Sequence, residues 1–474
     1  MDCVRRGNPG FSDARRIRNA RIYSNPSEIC YCSTADDVIL ALGKATPGGV
    51  RVRAGGHHHE GMCSGDNVLV IDVSNMNQVV VDPTKRTVRV GPGAKLGDIY
   101  NKVYEKGLLF PGGACGDVHV GGLVQGGGWG LTARRMGLTC DALDSIKIVI
   151  WNASRREFQE ITVGLPGDPN HRLFWGVSGG GGGNFGVATE FVFKVEPIPG
   201  EKIITQFTAT WKDRGLMRNV IDGWRTNVLG FADDRLTTFC RLIAPGTESE
   251  GDEPSLIVGN FLGDSSELDT ILQRLLPKGF HVKYDPVWPP APTPLTANFT
   301  TPHYQPGPPG AKLSETCAKD AFFRHKVSST YPAKAFDTGG VQGILDHINV
   351  APLSGARRYI SLHSLGLRVA KANDRSCFAY RDKPFLIQYQ AWWQKCELDE
   401  QCLDWVSDFR DDMHRRETTE GAFINFPDRD LVPATNQKEL MRPYYRENLD
   451  ALIAIKQDWD PRGIFDFPMG IPRP

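Results

Sequence analysis

The stretch from Phe110 to Gly130 limits the fold more than any other part of this chain. It holds nine glycines and a single cysteine, Cys115. Glycine has no Cβ, so such a run lets backbone N–H groups crowd against a ligand that side chains would hold away. A bulky, anionic ligand is implied. A flexible linker would be padded with serine and other polar residues, whereas Val118, Val120, Leu123, Val124 and Trp129 interleave with these glycines.

At 474 residues the chain exceeds what one hydrophobic core usually supports, so two domains are expected. Lys plus Arg and Asp plus Glu are both 55, which argues against a field that gathers nucleic acid or an anionic membrane. No run of about eighteen apolar residues marks a membrane span. The opening Met1-Asp2-Cys3 continues into polar residues, unlike a secretory signal. Eleven cysteines fit a disulfide framework poorly, and Cys30 and Cys32 are one residue too close for a CxxC pair. Reduced thiols in a cytoplasmic protein, monomer or homodimer, are the expectation.

In chain order, the pattern predicts a helix from Cys32 to Lys44 opened by Ser33 or Thr34, then strands at Val50–Ala54, Val68–Val73, Val79–Val81 and Thr87–Val90. A helix over Ala94–Lys106 leads into the glycine segment, and strands at Leu143–Val149 and Val187–Val195 come after it. The first strand ends at Gly55-Gly56-His57-His58-His59-Glu60-Gly61. That triplet reads as a surface cluster, as a metal site short of a fourth ligand, or as one imidazole presented to a cofactor. Gly181, Gly183 and Gly186 match GxGxxG, and Gly176, Ser178 and Gly180 match GxSxG. Both fingerprints need a helix on their C-terminal side, and Val187 to Val195 is β-branched and aromatic, a strand instead.

Taken together, Arg51 to His57, Cys115 to Gly122 with Gly126 to Gly130, Gly179 to Thr189, and the closing Tyr444 to Phe467 resemble the successive signatures of the berberine bridge enzyme-like flavin oxidases. That group lies within the vanillyl-alcohol oxidase superfamily, and the resemblance spans about residues 10 to 474. It implies an α+β fold: a two-part PCMH-type FAD-binding domain (residues 1–200 and a returning segment, 425–474) with an inserted antiparallel-sheet substrate domain (201–424). By motif position it implies FAD attached twice, through an 8α-histidyl bond to His57 and a 6-S-cysteinyl bond to Cys115. His58 or His59 remains an alternative for the first link. A thiolate and an imidazole are good nucleophiles for an electrophilic flavin. The same likeness places Arg53, Ala54, Gly55, Gly56 and Gly61 around the linking histidine. In the glycine segment it marks Gly113, Gly121, Gly122, Gly126, Gly127, Gly128 and Gly130, with Val118 at the family's oxygen-gating position. It adds Gly183, Asn184, Gly186 and Val187, then Tyr445 and Asn448 of the closing motif.

From Glu201 onward the composition shifts. Strands are expected at Ile203–Trp211, Leu236–Leu242, Leu256–Leu262 and Arg358–His363, helices at Gly215–Asn227 and Ser266–Leu275, and a proline-rich wall from Pro286 to Pro309. Here the chain departs from its family. Many bacterial members place a base tyrosine where this sequence reads Asn425-Phe426-Pro427-Asp428. A phenyl ring takes no proton, so His363 is the leading substitute base and Tyr389 the runner-up, with Asn425 and His119 beside the site. The expected activity is hydride transfer from a bulky sugar, phenolic or secondary metabolite to FAD, with O2 returning as hydrogen peroxide. A dehydrogenase or oxidative cyclase, or a non-redox binding protein on the same fold, are the alternatives.

Overall fold

The computed structural model describes all residues except 201–202, 247–253, 289–323, 335, 372–373 and 433–435. The proline-rich wall lies, beyond Trp288, outside the described residues. Sheets and helices alternate along the first part of the chain as the hydrophobic pattern requires. Asp2–Arg5, Glu28–Tyr31, Leu69–Asp72 and Val50–Arg53 form a four-stranded sheet in that spatial order, the first pair antiparallel and the rest parallel. The helix Ala35–Leu42 crosses between two of these strands. Thr34 caps it and Asp37 closes a capping box, which satisfies the orphan amides of its first turn. A second, antiparallel sheet runs Val79–Asp82, Thr87–Val90, Val187–Lys194, Leu143–Asn152 and Glu157–Val163.

The third sheet positions the site. Its eight antiparallel strands are ordered His281–Trp288, Ile204–Trp211, Ser255–Phe261, Leu236–Ile243, Ala356–Ser364, Phe385–Trp393, Arg324–Pro332 and Thr419–Glu420. One face buries Phe207, Ile360, Ile387, Tyr389 and Trp393 against the helices Met217–Gly223, Ser265–Leu275, Thr338–Ile348 and Asp399–Arg415. Side chains alternate across a strand, so the intervening residues point the other way, toward the glycine segment. There Gln206, Phe239, Arg241, Tyr359, His363, Gln388 and Gln390 line a cavity.

Two expectations fail. Cys3 and Cys30 are joined by a disulfide, since the antiparallel register of their strands sets them opposite each other, and Cys396 is disulfide-bonded as well. The expectation of reduced thiols is therefore wrong for these three cysteines, although the seven others described are free, and the cytoplasmic placement loses its support. The glycine segment also contains a short helix, Val120–Gln125, that its composition does not predict. Among the described residues no helix is long and apolar enough to cross a membrane.

Candidate active site

The cavity, about 390 Å³, lies between the polar face of the eight-stranded sheet and four segments that meet it. These are the His57–His59 loop, the glycine segment, the Gly181–Asn184 turn, and a C-terminal wall of Tyr445, Phe467 and Met469. The expected residues Ala54, Gly55, Gly56, His57, Gly113, Cys115, Val118, Gly121, Gly122, Gly183, Asn184, Gly186 and Tyr445 all line it. His119, Asn425 and His363 do too.

His57 is enclosed, and burial holds its imidazole well below the usual histidine range, helped by the positive charge of Arg18. Asp117, ion-paired with Arg18, lies 4.0 Å from its Nε2. The neighbouring ring is that of His119, 6.2 Å away centre to centre. Burial also lowers His119 to about 4 and pushes the Cys115 thiol up to about 12. Both imidazoles are neutral at pH 7 and the thiol is protonated. The FAD expected from the sequence suits this wall. A Cβ added at Gly122 would meet no protein atom within 4 Å, so the backbone there presents an open cradle. Cys115 is the one free cysteine among the described residues that is not buried. A neutral imidazole, a reachable thiol and side-chain-free backbone are the donor set a bulky, doubly tethered cofactor requires.

Several expected contacts are made elsewhere. Arg53 turns its guanidinium into a buried pair with Asp72 and does not reach the cavity. A Cβ on Gly130 would overlap the carbonyl oxygen of Gly112, one on Gly128 the hydroxyl of Thr139, and one on Gly126 the Asn425 amide. These glycines let the chain pack on itself. Gly61, Gly127, Val187 and Asn448 are likewise not in the lining, and the Asn448 amide donates to the Cys377 carbonyl.

Tyr389 is misassigned as a base. It sits on the helix-facing side of its strand, fully buried, with its hydroxyl bonded to Thr330 at 2.9 Å and its ring edge-on to Phe409. Its neighbours Gln388 and Gln390 face the cavity instead. His363 does face it, but Nε2 is 3.0 Å from the Gln388 Oε1, an acceptor only, so Nε2 carries the proton. The lone pair then belongs to Nδ1, which is buried without a partner beside Trp129. Burial lowers His363 to about 3. His363 therefore commits Nε2 to Gln388, and Nδ1 is the nitrogen left to accept a proton.

Further polar groups of this face belong to no motif and are not foreseen from the sequence. Arg241 lies 4.4 Å over the Tyr359 ring and donates to Ser361, and the Tyr359 hydroxyl donates to Gln390. Glutamines at 388 and 390 within an otherwise apolar strand are the one local signal of a polar face.

A cavity with this lining is compatible with a flavin, and the comparisons with known proteins give the family. The FAD binding domain model matches residues 26–158, and the berberine and berberine-like model matches 422–472. The FAD-linked oxidoreductase YgaK of Bacillus subtilis is 30% identical over 99% of this chain and 96% of its own length. Aclacinomycin-N/aclacinomycin-A oxidase of Streptomyces galilaeus is 28% identical over 96% of this chain and 87% of its own. The crystal structure of aclacinomycin oxidoreductase superposes with a TM-score of 0.82 at 25% identity, over 100% of this chain and 99% of that one. This chain belongs to the berberine bridge enzyme-like family and is an FAD-linked oxidoreductase.

Proposed function

We propose that the protein is an oxidase that removes a hydride and a proton from a hydroxyl-bearing carbon of a bulky organic molecule. His57 and Cys115 would hold FAD, which would supply the two-electron chemistry, with O2 the final acceptor and hydrogen peroxide the product. The observation that carries this reading is one cavity bounded by His57 and Cys115 on one wall and by Arg241, Tyr359, Gln388 and Gln390 on the facing sheet. The first wall suits a tethered cofactor and the second a polar ligand. Two tethers fix the ring without enclosing it, which leaves room for a large substrate. Sugars, phenolics and secondary metabolites fit, since hydroxyls pair with the glutamine amides and rings stack on Tyr359 and Phe239. The names of its relatives point the same way, with one oxidase of aclacinomycins and one structural neighbour a chitooligosaccharide oxidase. Val118, at the position that the family resemblance marks as oxygen-gating, lines the cavity and supports O2 as the acceptor. On this reading residues 1–200 and 425–474 carry the cofactor and 201–424 the substrate.

Acid precipitation tests the tethers. The flavin should remain in the pellet for the wild type, His57→Ala and Cys115→Ala, and leave it in the double variant. Release of all flavin from the wild type refutes the attachment. A metabolite panel assayed for anaerobic bleaching and for peroxide on readmitting air tests the reaction. Bleaching without rapid recolouring would indicate a dehydrogenase, and no bleaching at all would refute the redox role on these compounds.

A further inference from the structure

We propose that a hydrogen-bonded histidine pair, His59 with His325, takes the substrate's hydroxyl proton in this protein, with His59 as the acceptor and His325 as the residue that positions it. The inference rests on the oxidase reading above. His59 lines the cavity and is 8% exposed. Its Nδ1 lies 3.0 Å from Nε2 of His325, so Nε2 is the nitrogen of His59 that this bond leaves uncommitted. The ring is 6.0 Å from that of Phe426, as is the ring of His363. The pair therefore stands beside the position whose phenol this chain lacks.

The pair is built. His325 is 2% exposed and stacks on Trp392 at 4.2 Å. The fully buried Asn19 donates from its amide to the carbonyls of both His59 and His325, at 2.8 and 3.0 Å, and accepts from the His325 amide at 3.1 Å. One side chain thus bolts the His57–His59 loop to the strand Arg324–Pro332 and sets the two rings at hydrogen-bond distance. When His59 Nδ1–H donates to His325, Nε2 of His59 carries the lone pair that accepts the proton. When Nε2 takes a proton, that bond becomes charge-assisted and strengthens as charge develops. The step balances. The hydride leaves the carbon for the cofactor, the O–H pair becomes the second C–O bond, and the proton rests on His59. O2 departs as hydrogen peroxide carrying the hydride's hydrogen and that proton. The charged groups around the pair are Glu60, next to His59 in the loop, Lys326, next to His325 in the strand, and their partners Asp428, Asp430, Arg21, Arg429 and Arg410; burial keeps His57 and His58 in the same loop neutral. These carboxylates and cations are ion-paired with one another, and burial is the cause that lowers His59, to about 4.

The test uses the flavin-loaded protein, with cellobiose, chitobiose and coniferyl alcohol as probes. With any probe that bleaches the wild type anaerobically, His59→Gln should reduce about 10²–10⁴-fold more slowly, the usual worth of a placed base. His59→Gly should be partly restored by added imidazole. His325→Gln should slow reduction less, with KM little changed. The wild-type rate should rise with pH through about 4 and stay level above it, because the acceptor must be unprotonated. A readout without turnover is 15N NMR of histidine-labelled protein, in which His59 Nε2 should give an unprotonated signal at pH 7. Wild-type reduction rates in His59→Gln, or a protonated Nε2, overturn the assignment and leave the oxidase reading standing. If no probe bleaches the wild type, the oxidase reading fails and this step falls with it. Should His59→Gln not fold, the imidazole rescue and the NMR signal decide.

Discussion

Removing the ammonium of Lys326 should cost the fold about 3 kcal/mol, near the lower end of what breaking a buried ion pair costs. Lys326 is 1% exposed, and its Nζ lies 3.0 Å from Glu60, 2.5 Å from Asp428 and 2.9 Å from Asp430. Glu60 and Asp428 are also 1% exposed, so Lys326→Met leaves two buried carboxylates short of a cation. Each keeps a partial substitute, Arg410 for Asp428, and Arg429 and Arg21 for Glu60, which is why the low end applies. Asp430 is 61% exposed, and Asp430→Asn should cost less than about 1 kcal/mol. Burial opposes both central charges, yet the opposed partners win: Lys326 is raised above 10.5, and Asp428 is lowered below 3.8. A lysine raised on folding contributes stability below 10.5 that is lost as pH rises through its folded value. An aspartate lowered on folding contributes above 3.8 and loses it as pH falls through its folded value. The cluster's contribution should therefore be level between those limits. In Lys326→Met the uncompensated carboxylates protonate more easily, so the gap to wild type should narrow as pH falls toward about 4. Urea unfolding followed by tryptophan fluorescence, at several pH values, measures both. A loss under about 1 kcal/mol at pH 7, the range of exposed pairs, refutes the reasoning.

Tyr389→Phe should leave flavin reduction unchanged and cost about 1 kcal/mol for the lost bond to Thr330; slowed reduction would return the tyrosine to the site. Phe426→Tyr should change the reduction rate by less than about 10-fold, because a placed base contributes more than that and His59 already supplies one; a larger acceleration would mean the phenol was simply lost. Cys3→Ser opens a 27-residue separation, and urea unfolding should show a loss of up to about 3.5 kcal/mol on the loop-entropy scale, with no further loss in reductant if this is the bond that matters. Gly130→Ala should give little folded protein, judged by soluble yield, because its Cβ has the Gly112 carbonyl in its place.

Much of the architecture is legible in the sequence because short strands announce themselves through β-branched runs between turn residues. Thr87–Val90 is legible to the residue, and Ile204–Trp211 within one. The Val120–Gln125 helix is not, because two glycines make a poor helix by propensity. Tertiary bonds override it: the amides of Val120 and Gly121 donate to the carbonyls of Ala94 and Pro92, which anchors the first turn from outside. Counting cysteines fails for a related reason. The register that sets Cys3 opposite Cys30 is a property of the sheet, and an odd total says nothing about which pairs lie within reach.

The same distinction runs through the site. Motifs that keep their ligands in one segment, such as the wall of Ala54 to His57 or Cys115 to Gly122, carry their geometry with them and are readable. A strand residue's role depends on which way its face points. Phe385–Trp393 alternates, and the glutamines at 388 and 390 are the one local hint of which set meets the cavity. The packing of Phe409 and Trp405 over Tyr389 decides it, by burying the odd set and leaving Gln388 and Gln390 for the cavity. His325 is still less visible, since its partner lies 266 residues earlier and the residue that joins them is an asparagine at position 19. The loss of a phenol at 426 can be read from the sequence. Where a proton acceptor stands instead depends on contacts among three distant segments, and those exist only once the sheet and the loop have met.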